Sequence, residues 1–207
     1  SYHCHHRYDV AFSSGGLLAG FTVTNAYDSL LRRTALGLSN HVATLVKFGY
    51  DNASRLASVT NDVNTAAYTY LANSALVTNI VFKQSGTTRM TTSERHDFLN
   101  RLQQISSVPG SSGVSPLTFG YTYNDANQRT RVNLADSSFW IYEYDALGQV
   151  KSGKRYWSDW TPVAGQQFEY GFDDIGNRQN TKVGGDENGA NLRSASYTVN
   201  SLNQYSQ

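Results

Sequence analysis

The chain has 207 residues and a formal net charge of +1, with 17 Lys+Arg against 16 Asp+Glu. Only 16% of residues are charged, whereas Ser, Thr and Asn number 23, 18 and 17, and Tyr alone 14. This balance excludes a nucleic-acid binder built on a basic face, a coiled coil, a disordered chain and a membrane-spanning helix, for which about 18 consecutive apolar residues are needed. What remains is a polar, Tyr-rich chain suited to strands and turns.

Residues 1–20 are read as an N-terminal His-rich segment. His3, Cys4, His5 and His6 offer imidazole and thiolate groups suited to zinc or copper ions. Four adjacent ligands do not make a tetrahedral site alone, and His41 and His96 join them only through folding. The bland reading, a tag-like or incidental run holding at most an adventitious divalent metal, outweighs a functional one. No other cofactor is expected. Cys4 is the only cysteine, so no intramolecular disulfide is expected. With no Met start and no apolar leader, the chain reads as a processed or excised piece. Tyr8-Asp9 reads as a decayed copy of the unit that follows.

Residues 21–207 are read as an array of about eight related units. In chain order they are Ala26-Tyr27-Asp28, Phe48-Gly49-Tyr50-Asp51-Asn52-Ala53-Ser54-Arg55-Leu56, Tyr68-Thr69-Tyr70-Leu71, and His96-Asp97-Phe98-Leu99-Asn100-Arg101-Leu102. Then come Tyr121-Thr122-Tyr123-Asn124-Asp125-Ala126-Asn127-Gln128-Arg129, Tyr142-Glu143-Tyr144-Asp145-Ala146-Leu147-Gly148, Tyr170-Gly171-Phe172-Asp173-Asp174-Ile175-Gly176-Asn177-Arg178, and Tyr197-Thr198-Val199-Asn200. The shared template is aromatic-x-aromatic-Asp-x-x-Gly, at a spacing of 20 to 28 residues. Two aromatics two apart share one face of a strand. Asp28, Asp51, Asp97, Asn124, Asp145 and Asp173 then open a turn by accepting the backbone N–H two residues on. Gly148 and Gly176 fill the position that calls for a left-handed backbone, as in a three-residue hairpin loop with a bulge. Each unit is thus strand, tight turn, strand. Stacked hairpins are expected to share one sheet and one continuous core.

Two loops interrupt the array, at residues 108–116 (Val108-Pro109-Gly110 to Ser115-Pro116) and 184–189 (Gly184-Gly185 to Gly189). Helical periodicity is weak. Its best stretch, Ser29 to Leu38, overlaps a unit and is read as turn and strand. Lys154 to Trp160 is read as an aromatic insert between two good units.

Catalytic signatures are missing. There is no nucleophile elbow, no Ser-x-x-Lys, and no Gly-rich phosphate loop. Glu94-Arg95-His96-Asp97 pairs an acid with a histidine, but His96 fills the aromatic slot and Asp97 the turn slot. No residue is expected to do chemistry, although a cryptic metal-dependent hydrolase is retained as the least favoured reading. Tyr156, Trp157 and Trp160 form the best binding candidate, since exposed aromatic faces beside polar side chains suit a glycan or a protein partner. The same residues also suit a filled β core.

The repeated unit resembles the YD repeat, also called the Rhs (rearrangement hotspot) repeat, whose consensus is Tyr-x-Tyr-Asp-x-x-Gly-Arg-Leu. The resemblance covers about residues 21–205. It implies an all-β hairpin ribbon or solenoid that is part of a spiral shell. It also implies a bacterial secreted or cell-surface protein whose shell encloses or displays a toxin or adhesion module. The partners then are flanking repeats or a cargo domain, with self-association through open sheet ends. The Asp-Pro-x-Gly-Leu self-cleavage signature of that family is missing, because none of Pro109, Pro116 and Pro162 follows Asp.

Overall fold

A computed structural model describes residues 7–11, 22–39, 41–200, 202 and 204–205, with side chains at 7–11 and 41–44 left aside. The described chain is all-β, and its strands follow one another as regularly as the repeat. They are β1 Arg7–Ala11, β2 Thr22–Tyr27, β3 Arg33–Leu38, β4 His41–Tyr50, β5 Leu56–Asn61, β6 Asn64–Tyr70, β7 Val77–Gln84 and β8 Thr87–His96. They continue as β9 Leu102–Pro109, β10 Leu117–Tyr123, β11 Arg129–Asn133, β12 Phe139–Tyr144, β13 Val150–Tyr156, β14 Pro162–Phe172, β15 Arg178–Gly184 and β16 Leu192–Ser196. Their order in the sheet is their order in the chain. The assigned pairings are antiparallel, as tight loops between successive strands require. Ser29 to Leu38 is a turn followed by β3. Tyr8 and Asp9 stand inside β1, opposite Asn25 and Thr24.

The chain divides into two compact units, residues 1–95 with 106–116 and residues 96–105 with 117–207. In the first unit, register gathers like side chains into rows. Phe48, Val59, Ala66, Phe82 and Met90 form one row across β4 to β8. The neighbouring row, one residue along and therefore on the other face, runs Lys47, Thr60, Thr65 and Lys83. The second unit is sorted in the same way. Tyr142, Gly153, Phe168 and Val183 share a row, and Glu143, Ser152, Glu169 and Lys182 share the next. That polar row is tied by Ser152 Oγ to Glu143 at 2.9 Å and by Lys154 Nζ to Glu169 at 2.6 Å.

A continuous core, which stacked hairpins led one to expect, is not what the sheet holds. Among the described residues only three apolar side chains, Val132, Phe139 and Val163, are buried, all in the second unit. The template tyrosines are half-buried on one sheet face. Within each unit the described side chains are shielded chiefly by their cross-strand neighbours.

Candidate functional site

The turns that follow even-numbered strands carry the repeated Asp or Asn. At Asp51 the backbone N–H donates to Arg55 O at 2.9 Å, and Ser54 N–H returns to Asp51 O at 3.0 Å. Asp51 Oδ1 accepts from Ala53 N–H and Arg55 N–H, both at 2.9 Å. The same set closes the turns at Asp28, Asp97, Asp145 and Asp173. Asn124 does so with its Oδ1 accepting from Gln128 N–H alone, while its Nδ2 donates to Gln128 Oε1 at 2.7 Å. The fourth residue is left-handed in each: φ is 82° at Gly148 and 90° at Gly176, but also 59° at Leu31 and 61° at Ser54. The turn after β6 departs from the set. Leu71 holds no carboxylate, the loop is one residue longer, and the left-handed residue is Asn73.

The residue after the left-handed one reaches sideways. Arg32, Arg55 and Arg101 each pair with the carboxylate of their own turn, at 2.7, 2.8 and 2.6 Å. Each guanidinium also lies 4.5–4.9 Å from the ring centre of a tyrosine of the next unit, Tyr50, Tyr70 and Tyr123 respectively. Arg32 Nη1 donates to Ser54 Oγ at 3.0 Å, Arg55 Nη1 donates to Ser74 O, and Arg101 Nη1 donates to Asn124 O at 3.2 Å and Asn127 Oδ1 at 2.9 Å. The second template tyrosine answers in the other direction. Tyr50, Tyr70, Tyr123 and Tyr144 donate their hydroxyls to the carbonyls of Arg33, Leu56, Leu102 and Arg129, at 2.8, 2.6, 2.8 and 2.8 Å. Turn and tyrosine together form a clasp between successive hairpins.

Electrostatics follow the clasp. Backbone donation by Arg55 outweighs partial burial and, with the guanidinium, holds the Asp51 carboxyl below the usual carboxylate range. At Asp28 and Asp97 burial pushes upward, but the bonds from Arg32 and Arg101 prevail and both carboxyls are lowered.

Three further turns of the same backbone class follow odd-numbered strands, closed between Leu134 and Ser138, Trp157 and Thr161, and Asp186 and Ala190. They lie outside the aromatic-x-aromatic-Asp template. In the first two the carboxylate has moved to the third position, where Asp136 accepts from Ser138 N–H at 3.0 Å and Asp159 from Thr161 N–H at 2.9 Å. Lys154 to Trp160 is therefore the end of β13 and a turn, and 184–189 holds the Asp186 turn. Gly110 to Pro116 is the loop between β9 and β10.

That turn sends the three candidate aromatics to different surroundings. Trp160 stands at the left-handed position, φ 71°, and packs edge-on against Phe139 at 4.7 Å and beside Tyr156 at 5.7 Å. Arg131 covers this group, 3.8 Å from the Phe139 ring centre and 5.5 Å from Trp160. Trp157 instead lies 5.9 Å from the Arg155 guanidinium. Tyr156 and Trp160 are brought together, while Trp157 meets a polar network. His3, Cys4 and His5 lie outside the described residues. Among those described, no three His, Cys, Asp or Glu side chains gather as a metal site would need. No described helix is long and apolar enough to cross a membrane.

No family model matches the chain, and no curated protein matches it. Among solved structures it is similar to the crystal structure of TcdB2-TccC3, with a TM-score of 0.62 and 14% identity over 90% of this chain. It is also similar to those of TcdB2-TccC3-Cdc42 and TcdB2-TccC3-TEV, with TM-scores of 0.53 and 0.51 and 12% identity over 91% of this chain. This chain spans 12% of the length of each of those chains. At such identity the likeness is one of fold, an all-β repeat structure.

Proposed function

We propose that this chain is a structural repeat segment of a secreted or cell-surface, Rhs-like shell that encloses or displays another domain, a toxin or adhesion module. The observation that carries this reading is the clasp. Arg32, Arg55 and Arg101, each paired with the Asp of its own turn, reach the next hairpin, and the hydroxyls of Tyr50, Tyr70, Tyr123 and Tyr144 reach back to the preceding one; such hairpin-to-hairpin ties suit a wall extended unit by unit. The fold likeness supports it, because nearly all of this chain matches a small part of much larger chains. In this role its partners are neighbouring repeats and the enclosed or displayed domain, and its own residues hold position without catalysing a reaction.

The test is made on the full coding frame. It is expected to specify further repeats and a non-repeat domain, and a frame that encodes these residues alone overturns the proposal. In the full-length protein, deleting residues 22–196 is expected to expose the non-repeat domain to added protease. A digestion pattern unchanged by the deletion speaks against enclosure.

A further inference from the structure

The corner where the turns at Leu134–Ser138 and Trp157–Thr161 meet holds chemistry that the clasp does not use. Arg155 is fixed there on every side. Nε and Nη2 donate to Ser138 Oγ at 3.0 and 2.8 Å, Nη2 donates to Asp136 Oδ2 at 2.6 Å, and Nη1 donates to Gln166 Oε1 at 3.1 Å. Ser138 is fully buried and donates its hydroxyl to Asp136 Oδ1 at 2.5 Å. This network holds two groups in place without saturating them. The Asp136 side chain is 50% exposed, and a carboxylate has acceptor sites beyond the three bonds it accepts here. The bond from the Ser138 hydroxyl, with its backbone N–H, holds that carboxyl below its usual range and so ionised at neutral pH. Gln166 spends its oxygen on Arg155, and its amide N–H groups have no partner among the described residues. The Trp157 indole, 5.9 Å from the Arg155 guanidinium that bonds both groups, is 46% exposed.

We propose that Trp157, Asp136 and Gln166 form a carbohydrate site that takes a neutral pyranose ring with two adjacent hydroxyls. The apolar C–H face of such a ring stacks on an indole. Each sugar hydroxyl both donates and accepts, so a pair of them matches a carboxylate acceptor beside an amide donor. The ionised Asp136 disfavours acidic sugars and phosphates, which singles out the neutral class. Trp160, though 58% exposed, is set apart from this site by its packing against Phe139 and Tyr156 and by Arg131 over that group. The site stands independently of the shell reading.

The experiment is a glycan array on the intact chain, followed by titration calorimetry with the methyl glycosides of glucose, galactose and mannose and with N-acetylglucosamine. At least one neutral glycan is expected to bind. Trp157→Ala, and Gln166→Glu, which keeps the oxygen for Arg155 but removes the donors, are each expected to raise Kd by about tenfold or more, with Trp160→Ala within about twofold of the parent. Trp157→Phe, which keeps a ring, is expected to fall between. Circular dichroism of each variant separates lost binding from lost fold. Absence of binding to every neutral glycan overturns the proposal. So does a Kd indifferent to both Trp157→Ala and Gln166→Glu, or one that Trp160→Ala weakens as much as Trp157→Ala does in a folded protein.

Discussion

The turns at Asp28 and Asp51 and those at Asp145 and Asp173 reach one backbone shape by two routes. The first pair places Leu31 and Ser54 in the left-handed conformation, which costs an L-residue about 1–2 kcal/mol. It sets an arginine next to them, Arg32 or Arg55, that grips the turn carboxylate and the following unit. The second pair uses Gly148 and Gly176, which meet no such penalty, and replaces the arginine with Gln149 and Asn177. In these four turns the strained ones carry the arginine, whereas Ser137 and Trp160, left-handed as well, are followed by Ser138 and Thr161. The lesson is that a repeat position does not carry a fixed requirement for glycine; what is required is that the turn close, and side-chain grip and backbone ease are alternative means.

The sharpest way to break this comparison is to remove the grip where the strain is. Arg55→Ala deletes the pair with Asp51, the contact with Tyr70 and the bond to Ser74 O, and is expected to destabilise by about 2 kcal/mol in chemical denaturation. Gln149→Ala, beside a glycine, is expected to cost clearly less; equal losses mean the grip does not compensate strain. Next, Gly148→Val and Gly176→Val are each expected to cost about 1–2 kcal/mol through φ alone. An added Cβ meets only the flexible ends of Gln128 and Gln149, at 3.0 Å. Unchanged melting in both variants removes the basis of the turn assignment.

In the opposite direction, Leu31→Gly is expected to stabilise by about 0.5–1 kcal/mol, because its side chain is 67% exposed and little packing is lost. A lowered Tm shows that Leu31 contributes contacts that outweigh its strain. The smallest expected effect is pH dependence. Asp51 and Asp97 have folded carboxyl pKa values below the ordinary 3.8. Their contribution is therefore present above the unfolded pKa, about 4, and is lost as pH falls through the lower folded value. Asp51→Asn is expected to flatten the fall in Tm between about pH 5 and pH 2. A slope identical to the parent's places the acid sensitivity elsewhere.

Much of the turn edge is legible in the sequence because its determinants are local. Asp51 and the N–H groups that donate to it lie within four residues, and Gly148 announces its own backbone. The clasp is less legible, since Arg32, Arg55 and Arg101 find partners 19 to 26 residues away, on the next hairpin. The turns at Leu134 and Trp157 escape the template because Asp136 and Asp159 act from the third position instead of the first. The division of Trp157 from Trp160 hinges on that hidden turn: read as an insert, the two indoles look like one platform. The thin core is invisible for a different reason. Alternating rows such as Phe48, Val59, Ala66 and Phe82 look the same in a sequence whether or not a second layer covers them.

The strict match of sheet order to chain order bears on how the molecule is made. Every assigned strand pairing joins chain neighbours, so closing each contact requires only a short loop, and its entropic cost is small. All-β proteins fold slowly when distant segments must find one another. Here each described strand pairs with its chain neighbours, so none of them waits for a partner much farther along the polypeptide. A growing chain can therefore register each hairpin against the last as it emerges.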